Sequence, residues 1–267
     1  MVNEQACKVL QELDSVSTQK DSSKVYIYID GCFDLPHSGH YNAIRQAKNL
    51  GDFLYAGVNS DQDVLETKGP ALLNCKERCE IIKHCKFVDK VIPDAPYALR
   101  KDFVQSIGCD FWAHGDDPCI DKSGVDVCQY FRDENMFKEF KRTEGVSTTN
   151  ITAKLLKMAE DLKNETTDEN GKSSRNSTPM RMMERIADPP KQTFLQTSRR
   201  IVNFANQNLP KENDTIVYIQ GTFDLLHHGH MRRLELAKQL GDFLYVGLWD
   251  DEMTRFYKGD LYPVQSI

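Results

Sequence analysis

The chain has 267 residues, enough for one to two domains. Its 34 Lys and Arg against 40 Asp and Glu leave a net charge of −6, the wrong sign for a general nucleic-acid binder. With 40% hydrophobic and 28% charged residues it is composed like a globular protein, and no apolar run approaches the roughly 18 residues of a membrane span.

Residues 1–23 form a polar tail without the apolar core of a secretory signal. Val25 to Ile29 is β-branched and aromatic and ends at Asp30-Gly31, which predicts a buried strand. Gly39 to Asn49 follows with helical spacing through Ile44, Ala47 and Leu50. Phe53 to Val58 predicts a second buried strand, and the polar stretch up to Lys68-Gly69 reads as a loop. Next come a helix over Cys75–Cys85, a strand over Val88–Ile92 and a helix over Ala98–Ile107. A strand over Phe111–His114, a short one over Phe137–Lys141 and a helix over Thr148–Leu162 complete the series. Strands alternating with helices predict an α/β fold whose parallel sheet has right-handed crossovers. Ligands of such sheets bind beyond the carboxyl ends of the strands.

Residues 164–192 are polar, with Gly171, Pro179, Pro189 and Pro190, and read as a flexible linker. Phe194 to Asn206 resumes helical spacing as a connector. The chain then repeats itself. VYIYIDGCFDLPHSGH, ending at His40, returns as TIVYIQGTFDLLHHGH, ending at His230, and Lys68-Gly69 returns as Lys258-Gly259 at the same offset of 190. From Val25 to Gly69 about 21 of 45 paired positions are identical. Counterparts of everything after Glu77 fall beyond Ile267, so residues 193–267 read as a half-domain. All eight cysteines lie in the first half and none forms a C-x-x-C pair. They read as reduced thiols of a cytoplasmic protein. A zinc site at Cys75, Cys79 and Cys85 has the wrong spacing for the common structural sites, and small residues on a helix face is the plainer reading.

His37-Ser38-Gly39-His40 stands between the first strand and the first helix. A helix start offers free N–H groups and positive dipole to a phosphate, and two imidazoles at i and i+3 point the same way. Capping and packing, or metal ligation, would also use such a pair; the recurrence at His227 and His230 favours a functional role. Gly31 lets backbone approach a ligand. Lys68 suits a triphosphate as a point charge, with Lys258 as its counterpart. In the stretch from Lys141 to Thr149, Ser147 or Thr148 is a natural N-cap beside a second phosphate nest, and Arg142 with Thr143 lies at its entrance. His114-Gly115-Asp116-Asp117 ends the fourth strand, where its carboxylates face ribose, a metal or neither.

DGCFDLPHSGH, KGP at Lys68 to Pro70, KERCE at Lys76 to Glu80, HGDD, and RTEGVSTT at Arg142 to Thr149 occur in the order that resembles the HxGH nucleotidyltransferases. Within them the chain is similar to the CTP-dependent phospho-alcohol cytidylyltransferases, and a tandem second copy characterises the branch using phosphoethanolamine. The resemblance covers about residues 24 to 162 and 194 to 267. It implies a Rossmann-like parallel sheet over a cytidylyltransferase domain at 24–163, followed by a partial second copy at 193–267. The implied reaction is CTP plus phosphoethanolamine giving CDP-ethanolamine and pyrophosphate. Mg²⁺ is expected with CTP, and no metal site built from the protein's own side chains is expected. His37, His40, Lys68 and Arg142 would be catalytic. Gly31, Cys32, Phe33, Gly115, Asp116, Thr143, Ser147 and Thr148 would also touch nucleotide, while Asp30 and Tyr97 would hold the acceptor's ammonium. Cys128 stands where the family usually has an aromatic, with Tyr130 nearby. The second copy has Gln220 in place of Asp30, so the first copy is expected to catalyse and the second to be structural or regulatory. Phosphocholine as acceptor, and a non-catalytic relative, are the alternatives. The resemblance also raises a homodimer and peripheral attachment at the endoplasmic reticulum.

Overall fold

The computed structural model of the chain describes residues 20–121, 124–143, 147–165 and 209–265. Cys7, the connector Phe194–Asn206 and all but the first two residues of the expected linker lie outside the described residues.

β1 (Tyr26–Gly31) is central because it is apolar on both faces, as a strand covered from both sides must be. It pairs in parallel with β2 (Phe53–Asn59), Tyr26 opposite Phe53 through Gly31 opposite Val58, and with β4 (Phe111–Gly115). β3 (Lys90–Ala95) and β5 (Phe137–Phe140) complete the order β3-β2-β1-β4-β5, every pairing parallel. The helices are α1 (Ser38–Lys48), α2 (Asp61–Lys68), α3 (Cys75–Lys83), α4 (Lys101–Ser106), α5 (Val127–Asp133) and α6 (Thr148–Glu165). On one face Ile27 and Ile29 pack with Ile44, Ala47, Leu54, Val58 and Ile82. On the other, Tyr26 and Tyr28 pack with Phe103, Val104, Trp112 and Phe131. Each such aliphatic or aromatic group withdrawn from water contributes about 1.5–3 kcal/mol. Tyr28 needs Gly57 on the neighbouring strand, two residues beyond its register partner Tyr55, since a Cβ there would stand 2.0 Å from the tyrosine hydroxyl.

Two helices and several element boundaries differ from the sequence expectation, among them the helix expected over Ala98–Ile107, which spans Lys101–Ser106. The stretch before Lys68 is α2 and not a loop; Ser60 caps it by accepting from Asp63 N–H at 3.0 Å, and Val64 alone is buried. With one buried residue the helix carries no apolar stripe for a periodicity reading to detect. α5 was not expected; Asp126 caps it and it buries Val127, Cys128 and Phe131. β3 starts later than expected and runs through Pro93, which an edge strand tolerates.

Strand order reverses beside β1, so the carboxyl ends of β1 and β4 flank the crevice where doubly wound sheets bind ligands. The chain leaves β1 through Phe33 and Leu35, both left-handed (φ 51° and 47°) and both buried. That conformation costs an L-residue about 1–2 kcal/mol, so burial of the two side chains holds the turn in place.

The second copy forms β6 (Ile216–Gly221), α7 (His228–Lys238), β7 (Phe243–Leu248) and α8 (Asp251–Lys258). β6 and β7 pair in parallel from Ile216–Phe243 to Gly221–Leu248, the register of β1 and β2 shifted by 190. Phe223 and Leu225 repeat the left-handed turn (φ 47° and 50°). Tyr218 is 64% exposed where its counterpart Tyr28 is fully buried, so this two-stranded sheet is uncovered on that face among the described residues.

Candidate active site

His37 is the N-cap of α1, and its Nδ1 accepts from Gly39 N–H at 3.1 Å. In return His37 N–H donates to Nδ1 of His40 at 3.2 Å, and the two ring centroids lie 4.0 Å apart. Two imidazoles thus form a reciprocal capping box. The capping reading of the motif holds, and it is also what aims the rings. An Nδ1 that accepts from backbone leaves the proton of a neutral ring on Nε2. Burial, then the charge of Arg142, pushes the His37 imidazole below its ordinary range. Burial, then His37, Lys68 and Arg142, lowers His40 to about 3. At neutral pH both rings are therefore uncharged Nε2–H donors. Phe33 supports His40 edge-on at 5.8 Å between centroids, and a Cβ on Gly31 would press on the Phe33 ring at 3.3 Å.

Lys68 is the last residue of α2, followed by Gly69 at φ 94°. Its ammonium lies 5.7 Å from the centroid of Tyr97, whose N–H donates to Asp63 at 3.2 Å. Lys68 also acts electrostatically on both His40 and Asp30. Asp30, at the end of β1, accepts from Trp112 Nε1 at 2.7 Å. Burial raises its carboxyl, against the opposing pull of Trp112, His114, Asn59 and Lys68. A desolvated carboxylate of this kind favours a cationic guest. The Trp112 ring packs 5.1 Å from that of His114, and Cys128 Sγ lies 3.8 Å from His114 Nδ1.

Beyond β4, a Cβ on Gly115 would meet Asp117 Oδ1 at 2.6 Å, so glycine leaves room for that carboxylate. Asp116 accepts from Arg142 N–H at 2.9 Å, and Asp117 pairs with the Arg142 guanidinium at 2.8 Å. These carboxylates thus hold the arginine. Asn42 on α1 donates to Thr143 Oγ1 at 2.9 Å, and Gln46 donates to the Lys141 carbonyl at 2.8 Å. Residues 144–146 lie outside the described residues. Ser147 caps α6 by accepting from Asn150 N–H at 3.2 Å, and Thr148 is the first residue of that helix.

In the second copy His227 accepts from Gly229 N–H at 3.1 Å and donates to His230 Nδ1 at 3.3 Å, with ring centroids 3.9 Å apart. Lys258 donates to Thr222 at 2.9 Å and lies 5.8 Å from the Tyr262 ring. Gln220, in the place of Asp30, accepts from the Tyr218 hydroxyl at 3.2 Å. The imidazole geometry is duplicated and the partly buried carboxylate is not.

Trp112, Asn59 and Asn42 were not expected as participants. The one signal for Trp112 was its register opposite Tyr28, which only strand pairing reveals. Among the described residues no three His, Cys, Asp or Glu side chains converge as a metal-ligand set, and the seven described cysteines are free thiols.

A family model described as cytidylyltransferase-like matches residues 28–154 and 218–265, taking in both copies. Ethanolamine-phosphate cytidylyltransferase of Dictyostelium discoideum is 38% identical over 94% of this chain and 70% of its own length. The Arabidopsis thaliana protein of that name is 38% identical over 91% of this chain and 60% of its own. Choline-phosphate cytidylyltransferase A of Mus musculus is 40% identical, over 50% of this chain and 37% of its own. A solved lipopolysaccharide core biosynthesis protein from Thermoplasma volcanium GSS1 overlaps 45% of this chain at 19% identity, with a TM-score of 0.39. The chain belongs to the cytidylyltransferase-like family. It spans 60–70% of the length of the two ethanolamine-phosphate relatives named here.

Proposed function

We propose that the chain transfers cytidylyl from CTP to phosphoethanolamine, giving CDP-ethanolamine and pyrophosphate. The observation that carries this reading is the partly buried Asp30 carboxylate, held by Trp112 at 2.7 Å, at the same sheet edge as the neutral His37–His40 pair. The relatives named for ethanolamine phosphate match along most of the chain, whereas the choline-phosphate relative matches half of it.

A phosphate oxygen of phosphoethanolamine attacks the α-phosphorus of CTP. The bond from that phosphorus to the bridging oxygen breaks, and pyrophosphate leaves with the electron pair. The acceptor phosphate, with a second pKa near 6, is largely dianionic at pH 7, so no general base is needed. Catalysis rests on in-line positioning and on donors aimed at developing charge. His37 and His40 supply Nε2–H donors, Lys68 and Arg142 supply positive charge, and the ends of β1 and β4 position the nucleotide. Asp30 holds the acceptor's ammonium, with Tyr97 beside it. Mg²⁺ is proposed to enter with CTP, held by the nucleotide's own phosphate oxygens and water. No protein ligand set is assigned to it.

No helix among the described residues is long and apolar enough to cross a membrane. Cytoplasmic placement, a homodimer and peripheral attachment at the endoplasmic reticulum belong to the same proposal, checked by fractionation and sedimentation. The deciding experiment offers CTP with phosphoethanolamine and with phosphocholine in parallel and measures pyrophosphate. Faster release with phosphoethanolamine is expected. Preference for phosphocholine overturns the acceptor, and no release with either overturns the reading.

A further inference from the structure

Arg78, on α3, has none of its side chain exposed. Its guanidinium donates to four acceptors on four segments: the Leu73 carbonyl at 3.0 Å, the Cys32 carbonyl at 2.5 Å, the Asn59 carbonyl at 2.9 Å and Asp61 Oδ1 at 2.6 Å. The other Asp61 oxygen accepts from Cys75 N–H at 3.0 Å, at the start of α3. A buried guanidinium is costly unless its donors are satisfied, so this placement is specified rather than incidental.

The four segments are those that carry the site. Cys32 lies in the turn between β1 and the paired histidines. Asp61 begins α2, whose last residue is Lys68, and Leu73 closes the loop after it. The same loop is tied to the β1 exit a second time, because Asp34 accepts from Leu72 N–H at 2.8 Å and Leu73 N–H at 3.0 Å. The segment bearing Lys68 is therefore fastened at both ends, by Arg78 at Asp61 and by Arg78 together with Asp34 at Leu72 and Leu73.

We propose that Arg78 is a positioning residue for cytidylyl transfer, its guanidinium fixing the placement of Lys68 relative to the His37–His40 pair. This rests on the functional reading above. The planar fork reaches carbonyls in several directions at once, which a lysine ammonium does not reproduce.

The test is a double-mutant cycle in the full chain, with kcat and KM measured for CTP and phosphoethanolamine. Displacing a reacting group by about 1 Å costs about 10²-fold, so Arg78→Lys lowers kcat by about that factor with a smaller change in KM. In a Lys68→Met background the same substitution costs less than about 3-fold, because no lysine remains to be misplaced. Equal losses in both backgrounds mean a merely structural role and overturn the proposal. Should Arg78→Lys melt below the assay temperature, Asp61→Asn replaces it in the cycle, keeping the three carbonyl contacts, with the same expected and overturning outcomes. A wild type without transfer sinks the functional reading itself; a working wild type with additive losses sinks only the role of Arg78.

Discussion

The Asp117 carboxylate holds the Arg142 guanidinium at 2.8 Å, while the backbone N–H of the same arginine donates to Asp116 at 2.9 Å. The first contact is a half-exposed ion pair that a triphosphate would have to displace. The second fixes the strap from which the arginine projects. Asp117→Asn removes the competitor and leaves the strap. Because exposed pairs are worth about 0–1 kcal/mol, CTP affinity should rise by up to about 5-fold. Titration calorimetry with CTP reads this directly; weaker binding would mean that Asp117 serves the nucleotide.

The two histidine pairs share a geometry and should differ in consequence. Removing one donor to a developing oxyanion costs about 10²–10³ in turnover. His40→Ala is expected to fall by that range, and His230→Ala by less than about 3-fold, since Gln220 replaces the carboxylate in its copy. Steady-state assays of both variants decide it. A dead His230→Ala beside an active His40→Ala would reverse the assignment of the copies.

His40 also predicts how stability depends on pH. Its ordinary value is 6.5, and burial, then His37, Lys68 and Arg142, lowers it to about 3 in the folded chain. Between those values the unfolded chain binds a proton that the folded chain refuses, so this position destabilises the fold progressively as pH drops from 6.5 toward 3. Above pH 6.5 the penalty is absent. His40→Asn should flatten that part of the profile, seen as a smaller drop in Tm between pH 7.5 and pH 5. Parallel drops in both proteins would contradict the lowered value.

Gly57→Ala should be costly in a way surface glycines are not. Its new Cβ would meet the Tyr28 hydroxyl at 2.0 Å and Ala95 Cβ at 2.9 Å. Overpacking of this kind costs about 1–3 kcal/mol. Tyr28→Phe in the same chain should recover part of the loss. Denaturant unfolding of the single and double variants gives the comparison.

The sheet was largely legible because β1, β2 and β4 are continuous apolar runs, and a buried parallel strand needs no alternation to be recognised. α2 was not legible, since one buried residue, Val64, gives no stripe. His37, His40 and Lys68 were found through their recurrence 190 residues later, a signal no single motif carries. The Trp112 to Asp30 contact joins residues 82 apart in sequence and depends on strand neighbours that periodicity does not assign. Arg78 shows a subtler loss. Its spacing from Cys75 and Ile81 places it on the buried face of α3, but a charged letter in a charged motif suggests water.

Phe33 and Leu35 have left-handed counterparts at Phe223 and Leu225, so duplication carried a backbone shape as well as a set of letters. Grafting H-x-G-H onto another scaffold would therefore reproduce little by itself. The handed bend ahead of the helix must travel with the motif, as it does in the second copy, where Phe223 and Leu225 keep it while only partly buried.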